Sequence, residues 1–143
     1  ITYEYANGAK GFHFSRQQAN TDTSYLVESL GSKGRAMVDC SRRVHEIYGA
    51  NPWKYSGPST DMYQVEHNEL FASIRNGKPM NDGEWMCNST LLGIMGRMAA
   101  YTGKRITWEQ ALNSTEKLGP DVYTWNTAVP VAEVAKPGFT AFS

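Results

Sequence analysis

Residues 60–114 constrain the fold most, because helical periodicity alternates there with helix stops. Thr60 or Asp61 is placed to cap a first helix, since a side-chain oxygen there accepts a bond from an orphan backbone N–H. Gln64 follows Asp61 at capping-box spacing. Tyr63, His67, Leu70, Phe71 and Ile74 recur at steps of three and four, so they share one face. Gly77 supplies a left-handed stop and Pro79 bars continuation. Asn81, with Glu84 at the matching offset, is the predicted cap of a second helix. Trp85, Leu91, Leu92, Ile94, Met95, Met98 and Ala99 leave it little polar face, which predicts burial on several sides. Ser89, Gly93, Gly96 and Ala100 form a stripe of small side chains. Each interior glycine costs about 1 kcal/mol against alanine, and close approach of another backbone would offset that. Gly103 ends the second helix, and Thr107 with Gln110 opens a short third one through Trp108, Ala111 and Leu112.

Residues 1–56 alternate with a period of two. Ile1, Tyr3 and Tyr5 point one way, and Asn7-Gly8 predicts a hairpin with a type I′ turn. The return strand carries Phe12 and Phe14 on one face and His13 and Ser15 on the other. Further strands are predicted over 24–30, over 35–40 after the turn Gly31-Ser32-Lys33-Gly34, through Val44, Glu46 and Tyr48, and in a short piece over 53–55. Turns this short force antiparallel pairing. The predicted class is therefore α+β: an antiparallel open sheet of about five to six strands over 1–56, covered on one face by helices within 60–114. Together these form one domain, 1–114. Residues 115–143 carry Pro120, Pro130 and Pro137 with little periodicity, and are expected to pack on the domain as extended chain anchored by Val122, Tyr123 and Trp125.

Lys plus Arg equals Asp plus Glu, at 14 each, so no nucleic-acid partner is expected. No apolar run of about 18 residues is present, so no membrane span is expected. Cys40 and Cys87 show no metal spacing and read as buried free thiols. There is no G-x-G-x-x-G, phosphate loop, G-x-S-x-G or metal-spaced histidine pair, so neither a catalytic residue nor a metal site is expected in this chain. Three residues stand out as substrate-binding candidates. His67 lies on the apolar stripe of the first helix and is expected to face the interior between helix and sheet. It reads either as a hydrogen-bonded, partly buried histidine or as a polar group facing a site there. Arg16 and Gln17 end a strand and enter a loop, a position that projects into a cleft or simply into water.

Several stretches in order carry a resemblance. Tyr3-Glu4-Tyr5-Ala6-Asn7-Gly8, Ser15-Arg16-Gln17 and Gly31-Ser32-Lys33-Gly34 resemble the sheet of the C-terminal domain of Gfo/Idh/MocA-type oxidoreductases. The stretch from Glu66-His67-Asn68-Glu69 to Lys78-Pro79 resembles the helix that follows that sheet, and Met95-Gly96-Arg97-Met98 to Gly103 and Ile106-Thr107-Trp108-Glu109 extend the likeness over nearly all of 1–114. The resemblance implies an NAD(P)-dependent sugar or polyol oxidoreductase, using NAD or NADP, whose C-terminal domain supplies substrate contacts and a homo-oligomer interface through its open sheet. The family's glycine fingerprint and Glu-Lys-Pro motif are absent here, and so are the Asp and His of the helix that opens its C-terminal domain. His67 sits in a different helix, and no catalytic role is carried over to it. The chain, which starts at Ile1 inside a strand-like pattern, is thus expected to be a fragment lacking its N-terminal Rossmann domain. By itself it is expected to bind no cofactor and to be inactive. The alternative is a non-catalytic carbohydrate-binding or dimerisation module of the same fold.

Overall fold

A computed structural model describes residues 1–143. The chain is α+β, with two antiparallel sheets of two and four strands and three helices. One sheet of five to six strands was the expectation from alternation alone; the first hairpin instead forms a two-stranded sheet of its own, and the other four strands form a second sheet. The chain divides into two compact units, 1–15 with 80–143, and 16–79.

In the first unit, β1 (Thr2–Glu4) pairs with β2 (Lys10–Phe12), with Tyr3 opposite Gly11. The Asn7-Gly8 turn is not type I′. Gly8 takes a φ of 84°, while Asn7 keeps a negative φ. The Gly8 N–H donates to Tyr5 O at 2.9 Å and the Tyr5 N–H to Ala9 O at 3.0 Å. This is a three-residue loop closed by a left-handed glycine, and the Asn7 side chain accepts from the Ala9 N–H at 3.0 Å.

Helix α2 (Gly83–Thr102) begins one residue later than Asn81 would set it. Asp82 is the cap residue without a side-chain bond, and Asn81 accepts from the Gly83 N–H at 3.1 Å. Burial on several sides does not occur: Gly96, Met98 and Thr102 are buried, while Trp85 and Met86 are exposed. Gly103, at φ 69°, ends the helix as expected. Helix α3 (Trp108–Leu112) opens with the full capping box: Thr107 accepts from the Gln110 N–H at 3.2 Å and Gln110 from the Thr107 N–H at 2.9 Å.

Of the small-residue stripe of α2, Gly96 receives a side chain where a backbone was expected, while Gly93 faces open space. The Tyr3 hydroxyl donates to Leu92 O at 3.1 Å, and a Cβ at Gly96 would stand 2.2 Å from that hydroxyl. Glu4 adds a tie, holding Lys10 at 3.4 Å and Arg105 at 3.3 Å. The tail does not use the expected anchors. Val122, Tyr123 and Trp125 are all exposed, since apolarity without periodicity names no burying face. Its attachments are the Arg97–Glu116 ion pair, the Gly138 N–H to Thr102 O at 2.8 Å, and the Ser114 hydroxyl to Ser143 O.

In the second unit, β3 (Leu26–Gly31), β4 (Gly34–Asp39), β5 (Val44–Gly49) and β6 (Trp53–Lys54) form an antiparallel meander in that order. Asp39 builds the β4–β5 connection: its Oδ1 accepts from the N–H and hydroxyl of Ser41 and from the Arg42 N–H. These three bonds, Ser41's hydroxyl foremost, hold its carboxyl below the usual carboxylate range. Helix α1 (Met62–Arg75) starts at Asp61, whose carboxylate accepts from the N–H groups of Tyr63 and Gln64. Gln64 does not reciprocate and bonds Asn68. Gly77, at φ 66°, stops it. The helix does not cover the sheet of its own unit: none of β3–β6 packs on α1, and it has no buried residue. Periodicity identifies the face a helix offers but not the surface it meets. Cys40 and Cys87, expected to be buried, are exposed free thiols.

Candidate functional site: two unlike faces of one sheet

The register of the four-stranded sheet sorts its side chains. Directly opposed residues of neighbouring strands share a face, and alternate residues switch faces. One face collects Val27, Val38 and His45 in one row and Ser29, Ala36, Ile47 and Trp53 in the next. Tyr55 extends the first row, its N–H donating to His45 O at 3.0 Å. Its ring meets His45 edge-on at 5.8 Å and lies 6.2 Å from Trp53. No Lys, Arg, Asp or Glu lies on this face, yet Val27, Ile47, Trp53 and Tyr55 are exposed.

The opposite face carries Glu28, Met37, Glu46 and Lys54 in one row, with Leu30, Arg35 and Tyr48 beside them. Arg35 lies over the Tyr48 ring, 4.5 Å from its centre, a cation–π contact. The Tyr48 hydroxyl donates to Glu46, and Lys54 Nζ meets Glu46 Oε1 at 2.9 Å. Glu28 stands 3.7 Å from Arg35. The Tyr48 bond first, and Lys54 second, hold the Glu46 carboxyl below its ordinary range. The same bond to Glu46 pushes the Tyr48 hydroxyl up, and Glu46 raises Lys54. Tyr48 stands between two hollows, one of about 290 Å³ beside Glu46 and Lys54, the other of about 510 Å³ between the β3–β4 and β5–β6 turns.

The candidates Arg16, Gln17 and His67 lie elsewhere in this unit. Arg16 donates to Asp22 O at 3.1 Å, so it holds its own loop. Gln17 is exposed in that loop. His67 was expected to face the interior; it is exposed on α1, with Nδ1 2.7 Å from Tyr63 O one turn back. No hydrogen bond joins one of these three to another. Arg35, Glu46, Tyr48 and Lys54 were not singled out from the sequence. Alternation put Glu46 and Tyr48 on one side of their strand, but only the cross-strand register brings Arg35 and Lys54 to them.

No group of three or more His, Cys, Asp and Glu side chains is arranged to hold a metal ion. No helix is long and apolar enough to cross a membrane. The turn from β6 into α1 holds a single glycine, Gly57, and the Asp61 carboxylate accepts from the Tyr63 and Gln64 N–H groups at the start of the helix. No family model, curated protein or solved structure matches the chain.

Proposed function

We propose that this chain is the C-terminal, substrate-binding and oligomerisation domain of an NAD(P)-dependent sugar or polyol oxidoreductase of the Gfo/Idh/MocA type, separated from its Rossmann domain. The observation that carries the reading is the contrast between the two sheet faces. An exposed face with Val27, Ile47, Trp53 and Tyr55 and no charge is what a subunit interface requires. The ordered series of resembling stretches supports the family. In this reading NAD or NADP belongs to the missing domain, and Arg16, Gln17 and His67 are the residues offered to a sugar-like substrate. Catalysis then requires the other domain, because the cofactor supplies the hydride chemistry.

The uncharged face meets its copy across a two-fold axis, the commonest closed symmetry, burying more than about 1,000 Å² in total. Sedimentation at tens of micromolar is expected to give a dimer of the 15.9 kDa chain. Val38→Lys, at the centre of that face, is expected to split it, and Glu69→Lys on α1 to leave it intact. A single monomeric species of the unaltered chain overturns the interface. The coding region upstream of Ile1 decides the enzyme itself. A strand–G-x-G-x-x-G–helix unit there supports it, and an unrelated domain supports the non-catalytic module.

A further inference from the structure

We infer that the larger hollow, between the β3–β4 and β5–β6 turns, binds the oxyanion of a small ligand, a carboxylate or a phosphate, through Lys33 and Arg35. The hollow has about 510 Å³ and is broadly open to solvent, which suits a small, hydrated anion. Lys33 and Arg35 line it together with Ser32 and Asn51, and no acidic residue does. Two cations in one concavity without a lining carboxylate create a local positive potential that an anion relieves.

The neighbouring carboxylates Glu28 and Glu46 offset part of this potential at Arg35, but neither pairs with Lys33. Glu46 is engaged by Tyr48 and Lys54. Glu28 reaches one Arg35 nitrogen at 3.7 Å, beyond hydrogen-bonding distance. The guanidinium, with five N–H donors, keeps free donors for a ligand. Lys33 forms no ion pair. Tyr48 seats the guanidinium from below, 4.5 Å from its ring centre, and is itself fixed by its bond to Glu46. Arg35 is thereby pre-oriented, which lowers the entropic cost of capture.

Glycine main chain forms part of the hollow's wall. Gly34 and Gly49 face each other across β4 and β5. A Cβ on Gly34 would stand 2.2 Å from Tyr48 O, and one on Gly49 2.5 Å from Lys33 O. Both take positive φ, 153° and 143°. These glycines bring β4 and β5 close together at the wall, and Ser32 and Asn51 add a hydroxyl and an amide that suit a hydroxylated anion. This inference does not depend on the oxidoreductase reading or on the dimer.

Amide NMR titration of the whole chain with inorganic phosphate, D-gluconate and D-glucose tests it. Saturable shifts at Ser32–Arg35 and Gly49–Asn51 are expected with the two anions and not with glucose. The stronger of the two anions identifies the oxyanion. Lys33→Met, at an exposed turn, should leave the rest of the spectrum in place and weaken binding at least about tenfold, the loss of one charge-assisted contact. Glu28→Gln, which releases Arg35 from its only ion pair, should tighten binding by about two- to fivefold, the usual worth of an exposed pair. The inference is overturned by no saturable shift up to about 20 mM, a concentration that reveals even a millimolar Kd. It is equally overturned by shifts that Lys33→Met leaves unchanged, or by glucose acting as strongly as the anions.

Discussion

Replacing Gly96 by alanine sets two opposing effects against each other. Alanine in a helix interior is favoured over glycine by about 1 kcal/mol, so an unhindered site would gain that much. Gly96 is not unhindered: the new Cβ would lie 2.2 Å from the Tyr3 hydroxyl and 3.3 Å from the ring carbon that bears it. The ring is stiff, so the hydroxyl can leave only if the whole side chain tilts away from α2. That breaks the bond to Leu92 O, worth about 1 kcal/mol. It also returns some tens of Å² of ring to water, about another 1 kcal/mol at 25 cal/mol per Å². The loss of about 2 kcal/mol exceeds the gain, and Gly96→Ala should destabilise the chain by about 1 kcal/mol. Tyr3→Phe removes the colliding atom, so in that background the same alanine should be neutral or stabilising by up to about 1 kcal/mol. Urea unfolding of the four proteins, followed by circular dichroism at 222 nm, measures the coupling. A coupling energy of about 1 kcal/mol or more is expected for groups in contact. Equal effects of Gly96→Ala in both backgrounds would refute the docking of Tyr3 on α2.

Glu46 links the charged face to pH. Its folded pKa is depressed, first by Tyr48 and then by Lys54, so its contribution is present above the unfolded value of about 4.3 and is lost as pH falls through the folded value. Glu46→Gln should therefore flatten the acid limb of a stability–pH curve, and an unchanged limb counts against the bond. Tyr48 has the opposite sign: its raised pKa gives a contribution fully present below about pH 10 and lost as pH rises through the folded value. Asp61→Ala removes the acceptor of two N–H groups at the start of α1. It should weaken that helix by about 1 kcal/mol, seen as faster amide exchange in its first two turns.

What the sequence made legible was local chemistry. Thr107 and Gln110 sit three residues apart and need nothing else to form their box, and Gly77 and Gly103 stop their helices through their own φ. Contacts between distant residues carried no such local signal. The stripe through Gly96 announced a close approach, but nothing near it in sequence named Tyr3, 93 positions earlier. Asn7-Gly8 announced a turn, yet the dipeptide does not choose between a two-residue loop and a three-residue loop closed by Gly8. The sheet shows the same division. Alternation within each strand was visible, but a face is a property of the register, and a slip of one residue would move every side chain of that strand to the other side.

Gly34 opposite Gly49 is the pair that permits the observed register, because a Cβ at either position would run into a carbonyl oxygen of the neighbouring strand or turn. One residue on, Arg35 then falls opposite Tyr48, and two residues on, Ala36 falls opposite Ile47. From this alignment follow a face without charge and a face with a guanidinium seated on a tyrosine. A slip of β5 by one position would place Glu46 against Ala36 and Ile47 against Arg35, mixing the two sets. The proposed dimer surface and the proposed oxyanion hollow are therefore two consequences of one backbone contact. A larger side chain at either glycine should disturb both together, whereas Val38→Lys and Lys33→Met should each disturb only one.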